Sequence, residues 1–216
     1  MIDVRDLAVR QGRFRLDSIA LSVPRGAYAV LMGRTGCGKT TVLECIVGLR
    51  QPAAGVIVLG DRDVTHLDPA DRNVGYVPQD GALFRTMTVR KNLGFALAIH
   101  RWAADRAQKR VEELAGWLEL THLLDRRAVG LSGGETQRIA LGRALAHAPP
   151  VLLMDEPLGS LDEETRERLI GVFRTIRAHA EVTVLHVSHS RHEAEQLGDV
   201  VFRLQDGRIE AIASLA

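Results

Sequence analysis

Tyr28-Ala29-Val30-Leu31-Met32-Gly33-Arg34-Thr35-Gly36-Cys37-Gly38-Lys39-Thr40 joins an apolar strand pattern to a glycine-rich turn that closes on Lys-Thr. Gly33 to Thr40 fits the spacing Gly, four residues, Gly-Lys-Ser/Thr. In that spacing Gly33, Gly36 and Gly38 let the backbone curl, so that the N–H groups of Arg34, Thr35 and Cys37 point inward at phosphate oxygens. The positive end of the helix beginning near Thr40 adds to the attraction. Lys39 is placed to reach the β- and γ-phosphates of a nucleotide, and the Thr40 hydroxyl to ligate the Mg²⁺ that bridges them. Thr41 completes the nucleotide-binding set. A glycine-rich turn could match by accident, but such a match arises in a chain of this length with odds on the order of one per cent. Alone, the loop predicts nucleotide binding without saying to what end.

Outward from the loop, apolar runs at Phe14 to Val23, Tyr28 to Met32, Val56 to Leu59, Val74 to Val77, Val151 to Met154 and Val182 to Val187 read as strands, with helical patterns between several of them. That alternation predicts an α/β fold. Its phosphate-loop core carries a mostly parallel sheet, with a strand-rich, antiparallel N-terminal portion before it. From Thr88 to Leu124 no strand signal appears, and Ala104, Ala107, Val111, Leu114 and Leu118 trace one apolar helix face, read as core packing. An inserted helical subdomain over about 88–146 is therefore expected within a single domain spanning 1–216, with no C-terminal accessory domain.

Val151-Leu152-Leu153-Met154-Asp155-Glu156 is a buried-strand pattern ending in two acids, which puts both at the carboxyl edge of the sheet, where α/β ligand sites form. Asp155 suits Mg²⁺ positioning, and Glu156 suits a general base that orients the water attacking the γ-phosphate. The strand Val182 to Val187 ends in Ser188-His189, and His189 is placed to donate to the same phosphate. His186, His189 and His192 could instead suggest a metal, but a strand-to-loop context splays them.

Composition narrows the partners. Lys plus Arg number 28 against 27 for Asp plus Glu, a net charge of +1 without long blocks of one sign, which gives no case for nucleic acid. Hydrophobic residues make up 46% of the 216, enough for a substantial core. The opening Met1-Ile2-Asp3-Val4-Arg5-Asp6 carries acids where an export signal needs a basic flank, and no apolar run approaches the ~20 residues of a spanning helix. Cys37 and Cys45, if both lie on or near one helix, are about 12 Å apart and do not pair, as in a reducing compartment.

Leu131-Ser132-Gly133-Gly134-Glu135-Thr136-Gln137-Arg138 narrows the family. A Ser hydroxyl and two glycines at the start of a predicted helix, Glu135 to Ala146, make a second helix end with exposed N–H donors. An ordinary helix capped by Ser132 would look similar. Here it stands among Gly33 to Thr40, Gln79, Asp155-Glu156, the loop around Asp162 and His189, and in that order the chain resembles the ATP-binding subunits of ABC transporters over nearly its whole length. The resemblance implies several things beyond the residues themselves. Two copies form a homodimer, so that Ser132, Gly133 and Gly134 of one subunit face the nucleotide held by the other. Gln79 touches Mg²⁺, and Asp80 to Thr88 adjoins an integral membrane permease. Asp162 joins the nucleotide site through its loop. The subunit is peripheral, bound through the permease at the cytoplasmic face of the cell membrane, and hydrolyses ATP to drive transport.

Arg72 and the stretch Tyr76 to Phe84 look most like importer subunits, similar to the molybdate and tungstate branch, which implies a substrate-binding protein as a further partner. Soluble relatives acting on DNA or ribosomes carry long coiled coils or paired domains, whereas Gln79 and Ser132 are only 53 positions apart. An exporter is disfavoured only by the loop after Gln79. The chain departs from the family pattern at Thr136, at Leu158-Gly159-Ser160-Leu161-Asp162, and at Arg10-Gln11-Gly12-Arg13-Phe14, where an aromatic that stacks on adenine is usual and only Phe14 or Arg10 is on offer.

Overall fold

The computed structural model describes residues 1–12 and 14–212, so Arg13 lies outside the described residues. The chain forms two compact units: residues 1–74, 150–156 and 181–216 make the first, and 75–149 with 157–180 the second.

The first unit opens with β1 (Ile2–Gln11) and β2 (Phe14–Val23), paired antiparallel. The sequence reading found β2 but not β1. Asp6 adopts φ 47 and the register of β1 shifts between Val4 and Leu7, and this bulge spoils the alternation by which a strand is recognised. β3 (Tyr28–Met32) leads into α1 (Lys39–Val47), and β4 (Ala54–Leu59) with the two-residue β5 (Arg62–Asp63) completes an antiparallel sheet of order β2-β1-β4-β5. β6 (Val74–Val77) starts in this unit at Val74 and carries the chain into the second.

The second unit is helical, and four helices build it: α2 (Val89–Ile99), α3 (Ala104–Trp117), α4 (Gly133–Leu145) and α5 (Glu163–His179). α2 packs on α4 and α3, and α5 on α3 and α4. On α3 the apolar face splits. Val111, Leu114 and Leu118 are buried as core, but Ala104 is exposed and Ala107 half-buried, so the first turn of the stripe does not pack. There Ala107 and Val111 line an open groove against α2 instead.

Back in the first unit, β7 (Val151–Asp155), β8 (Thr183–Ser188), α6 (Arg191–Leu197), β9 (Val200–Gln205) and β10 (Arg208–Ile212) complete the larger sheet. Within this unit it runs β10-β9-β3-β8-β7, parallel except for the β9–β10 hairpin. That hairpin turns on Asp206-Gly207, both at positive φ, a dipeptide signal open to sequence reading. β3, β7 and β8 are buried along almost their whole length, as expected of strands covered on both faces, and β8 buries Thr183, His186 and Ser188 among its apolar residues.

Arg72 is buried against the end of α1. Its guanidinium donates to Cys45 O (2.7 Å), Ile46 O (3.1 Å), Thr65 O (3.0 Å) and Leu67 O (2.9 Å), pinning the helix's last turn to the following loops. Truncation strands four carbonyls at once. Arg72→Ala is expected to cost about 3 kcal/mol, which lowers Tm by roughly 6–12 °C in a domain of this size. A Tm within 2 °C of the parent in a thermal melt would contradict this.

Candidate nucleotide-binding site

Three parallel strands end together and place the chemistry. In the register of the sheet Met32 lies opposite Ser188, and Val187 opposite Asp155, so the segments leaving β3, β7 and β8 emerge side by side. Those segments carry Gly33 to Thr40, Asp155-Glu156 and His189, at the carboxyl edge where a parallel sheet offers its helix N-termini.

Gly38, at φ 110, caps α1 in a backbone conformation that side chains avoid, and a Cβ there would stand 2.8 Å from the Phe14 ring. Phe14 therefore packs against the phosphate loop. Arg10, the other candidate for adenine, is exposed on β1 opposite Arg15.

Lys39 is only 4% exposed, and its ammonium donates to Gly33 O (3.0 Å) and Arg34 O (3.1 Å). The third neighbour is Glu156 Oε1 at 3.5 Å, whose Oε2 lies 3.1 Å from Nδ1 of His189. Both oxygens of Glu156 are thus engaged by the two side chains read from sequence as donors to a γ-phosphate. Glu156 sits at φ 43 with its N–H bonded to Val187 O, a left-handed backbone that turns the carboxylate out of the strand direction.

Below them the Thr40 hydroxyl donates to Asp155 Oδ1 at 3.1 Å. Burial pushes the Asp155 carboxyl above its ordinary value, the Thr40 hydrogen bond opposes it, and the Glu156 charge adds to the rise. A carboxyl raised in this way binds its proton more tightly folded than unfolded, so it lowers stability progressively as pH rises through the carboxylate range. Asp155→Asn keeps the acceptor for Thr40 and removes the charge. It is expected to raise the Tm of the nucleotide-free chain at pH 7 by about 2–4 °C, the shift produced by about 1 kcal/mol, with the gain shrinking toward acid pH. A lower Tm at pH 7 would refute the assignment of charge burial as the dominant cost.

Gln79, Ser132, Gly133, Gly134 and Asp162 lie in the second unit. Ser132 is the N-cap of α4, which begins at Gly133, two residues earlier than sequence suggested, so both glycines sit in the first turn. The cap is reciprocal: Ser132 Oγ accepts from Glu135 N, and Ser132 N donates to Glu135 Oε2 at 2.7 Å. That N–H holds the Glu135 carboxyl below its ordinary value. The Ser132 side chain lowers the same carboxyl further, so cap and acid hold each other. A Cβ on Gly134 would meet Thr165 Cγ2 at 2.6 Å, and one on Gly133 would meet Leu161 at 2.9 Å. Asp162 caps α5 through Thr165, so the serine-glycine turn and the loop of Asp162 are packed neighbours. Beside Ser132 lies an open polar cleft of about 600 Å³ lined by Glu119, Glu135, Arg138 and Arg168, and Nε of the buried Arg138 has no partner among the described residues.

Two contributors were not read from sequence. Gln137 Nε2 donates to Gln79 O (2.8 Å), and the guanidinium of Arg143 donates to Gly81 O (2.9 Å) and Ala82 O (2.7 Å). One face of α4 therefore straps down the loop after Gln79, and Thr136 packs against Gly81. Nothing local in the sequence announces these bonds. Of the three histidines weighed as a metal set, His186 is buried against Tyr28, while His189 meets Glu156.

Fold and edge chemistry together define a phosphate-loop α/β domain of the nucleotide-binding class. The family model described as ABC transporter matches residues 16–159, and the chain belongs to that family. It is 40% identical over 216 residues to the sulfate/thiosulfate import ATP-binding protein CysA of Synechococcus elongatus, covering 100% of this chain and 63% of that protein. It is 42% identical over 196 residues to the molybdate/tungstate import ATP-binding protein WtpC of Thermococcus kodakarensis, covering 91% of this chain and 59% of that protein. The chain thus spans about six tenths of the length of these curated relatives. A solved dimer of the ATP-binding cassette MJ0796, in a post-hydrolysis state bound to ADP and Pi, superposes with a TM-score of 0.87 at 27% identity, covering 100% of this chain and 99% of that one.

Proposed function

We propose that this chain is the ATP-hydrolysing, energy-coupling subunit of an ABC importer that carries a small oxyanion. The observation that carries the proposal is the double engagement of Glu156 by Lys39 and His189. The carboxylate stands where two donors converge on negative charge. A γ-phosphate competes for the same two donors and releases Glu156 to accept a proton from the attacking water.

Thr40 and Asp155 offer a hydroxyl and a buried carboxylate, the hard oxygen donors that suit Mg²⁺. Bound there, Mg²⁺ would neutralise charge on the β- and γ-phosphates. The phosphate loop orients the nucleotide, Lys39 offsets the charge that develops during transfer, and His189 donates to the γ-phosphate.

Ser132, Gly133 and Gly134 serve the nucleotide of a second copy, with Asp162 beside them. The two glycines in the first turn of α4 and the dimeric state of the MJ0796 cassette support this. The docking surface for an integral membrane permease is assigned to the loop 80–88 and the helices beside it. Phe84 is exposed there against Phe95, and a groove of about 600 Å³ between α2 and α3 is lined by Met87, Phe95, Ala98 and Val111 with Arg90, Lys91 and Glu112. Among the described residues no helix is long and apolar enough to cross a membrane, consistent with peripheral attachment through that permease. A substrate-binding protein and an oxyanion substrate follow the names of the relatives, and a single cassette covering 1–216, with a helical subdomain around 88–146, remains the proposed domain plan.

The direct test is phosphate release from ATP by the purified chain. Turnover should require Mg²⁺, disappear in EDTA and return when Mg²⁺ is restored. Equal turnover in EDTA would overturn the assignment of Thr40 and Asp155.

A further inference from the structure

Behind His189 lies a set of four polar side chains, each at least 96% buried: Tyr28 on β3, His186 and Ser188 on β8, and Glu193 on α6. Tyr28 and His186 share a hydrogen bond of 2.9 Å at Nδ1, and Nε2 of His186 lies 3.4 Å from Glu193 Oε2. Onto the same carboxylate oxygen Ser188 donates at 2.6 Å. Ser188 Oγ in turn accepts from Ser190 N (2.9 Å), and Ser190 Oγ accepts from Glu193 N (3.3 Å).

The arrangement departs from an ordinary helix cap. In a reciprocal capping box the carboxylate of the third helical residue returns to the N–H of the N-cap itself, as Glu135 does for Ser132. At α6 the N-cap is Ser190 and the third residue Glu193, but Ser188 Oγ is inserted between the carboxylate and the Ser190 N–H. The two residues flanking His189 are thereby bonded to each other and to one buried acid. His189 itself is 53% exposed, so packing does little to fix its ring, and its placement falls to the backbone between 188 and 190. Burying a carboxylate costs free energy unless hydrogen bonds compensate, and the 2.6 Å bond from Ser188 supplies one.

We infer that Glu193 is a positioning residue for His189: acting through Ser188, it sets the β8–α6 turn so that Nδ1 of His189 meets Glu156. His186, bonded to Tyr28, lies against the same carboxylate. The inference rests on the reading of His189 and Glu156 as groups that act on the γ-phosphate.

The experiment is a mutant cycle in the full chain, with kcat and KM for Mg-ATP measured alongside Tm. Glu193→Ala and Ser188→Ala should each lower kcat about tenfold or more, the scale of loss when a reacting group is misplaced by a fraction of an ångström to an ångström, with KM within about twofold. Glu193→Gln, which keeps an oxygen for Ser188, should keep kcat within about threefold of the parent. In a His189→Ala background, Glu193→Ala should produce no further loss, because both changes remove the same contribution. An undiminished kcat in both alanine variants, or the same fold-loss with and without His189, would overturn the proposal. Should Glu193→Ala fail to fold, Ser188→Ala cuts the same link without stranding a charge. A nitrogen-15 spectrum of His189 in the nucleotide-free chain separates the two layers. If the parent proves inactive toward ATP, the enzymatic reading fails, but Nδ1 of His189 should still shift in Ser188→Ala, and no shift would end the positioning proposal too.

Discussion

Lys39→Ala is expected to lower ATP turnover by about 10²–10³-fold, the range found when a preorganised donor to developing negative charge is removed. Its ammonium is almost wholly buried, held by Gly33 O and Arg34 O, with Glu156 Oε1 3.5 Å away. It is thus fixed before nucleotide arrives and needs no reorganisation to meet a phosphate. Arginine is a poor substitute, because its broad planar head does not fit a seat shaped by two backbone carbonyls for a compact ammonium. Phosphate release by Lys39→Ala and Lys39→Arg should therefore fall together, with Tm recorded to separate lost chemistry from lost folding. Undiminished turnover in a folded Lys39→Ala chain would sink the assignment of the phosphate loop.

Glu156→Gln carries the second large effect, on turnover and on assembly. Removing the base should lower turnover by about 10²–10⁴-fold while leaving ATP binding in place, since glutamine has the shape to sit between Lys39 and His189. A chain that binds ATP without consuming it should then accumulate as a dimer, each nucleotide held by the phosphate loop of one copy and the Ser132 turn of the other. Light scattering should report a mass that doubles with Mg-ATP and depends on its concentration by mass action. Adding Ser132→Arg, which places a bulky cation at the N-cap of α4, should return the mass to that of a monomer. A monomer at saturating Mg-ATP means either that a permease is needed for closure or that the face-to-face assembly is wrong, and repeating the measurement with the permease separates the two.

Asp155 and Glu156 adjoin in sequence, yet their surroundings set different tasks. Burial raises the carboxyl of the first, while the backbone of the second turns at φ 43 to face Lys39 and His189. On the proposed reading, one acid would activate water and the other hold a cation, the two tasks phosphoryl transfer asks of a strand end.

Elements whose physics is local were legible in the sequence. Gly33 to Thr40 could be read because a loop that wraps phosphate needs its glycines at fixed spacing within eight residues, so chemistry and motif coincide. The apolar strand before Asp155, the Ser132 turn and the amphipathic core of α3 were legible for the same reason, as each depends on neighbours one to four positions away. Tertiary structure decided whatever depends on groups far apart in the chain. Arg72 finds carbonyls 26 and 27 residues behind it, Arg143 holds a loop 61 and 62 residues away, and Tyr28 meets His186 across 158. β1 was hidden by its own bulge, and the order of β3, β8 and β7 that brings Lys39 to Glu156 and His189 follows from strand crossovers. A hydrogen bond between distant residues leaves no periodic trace in a sequence, because only the packed sheet brings donor and acceptor within about 3 Å of each other.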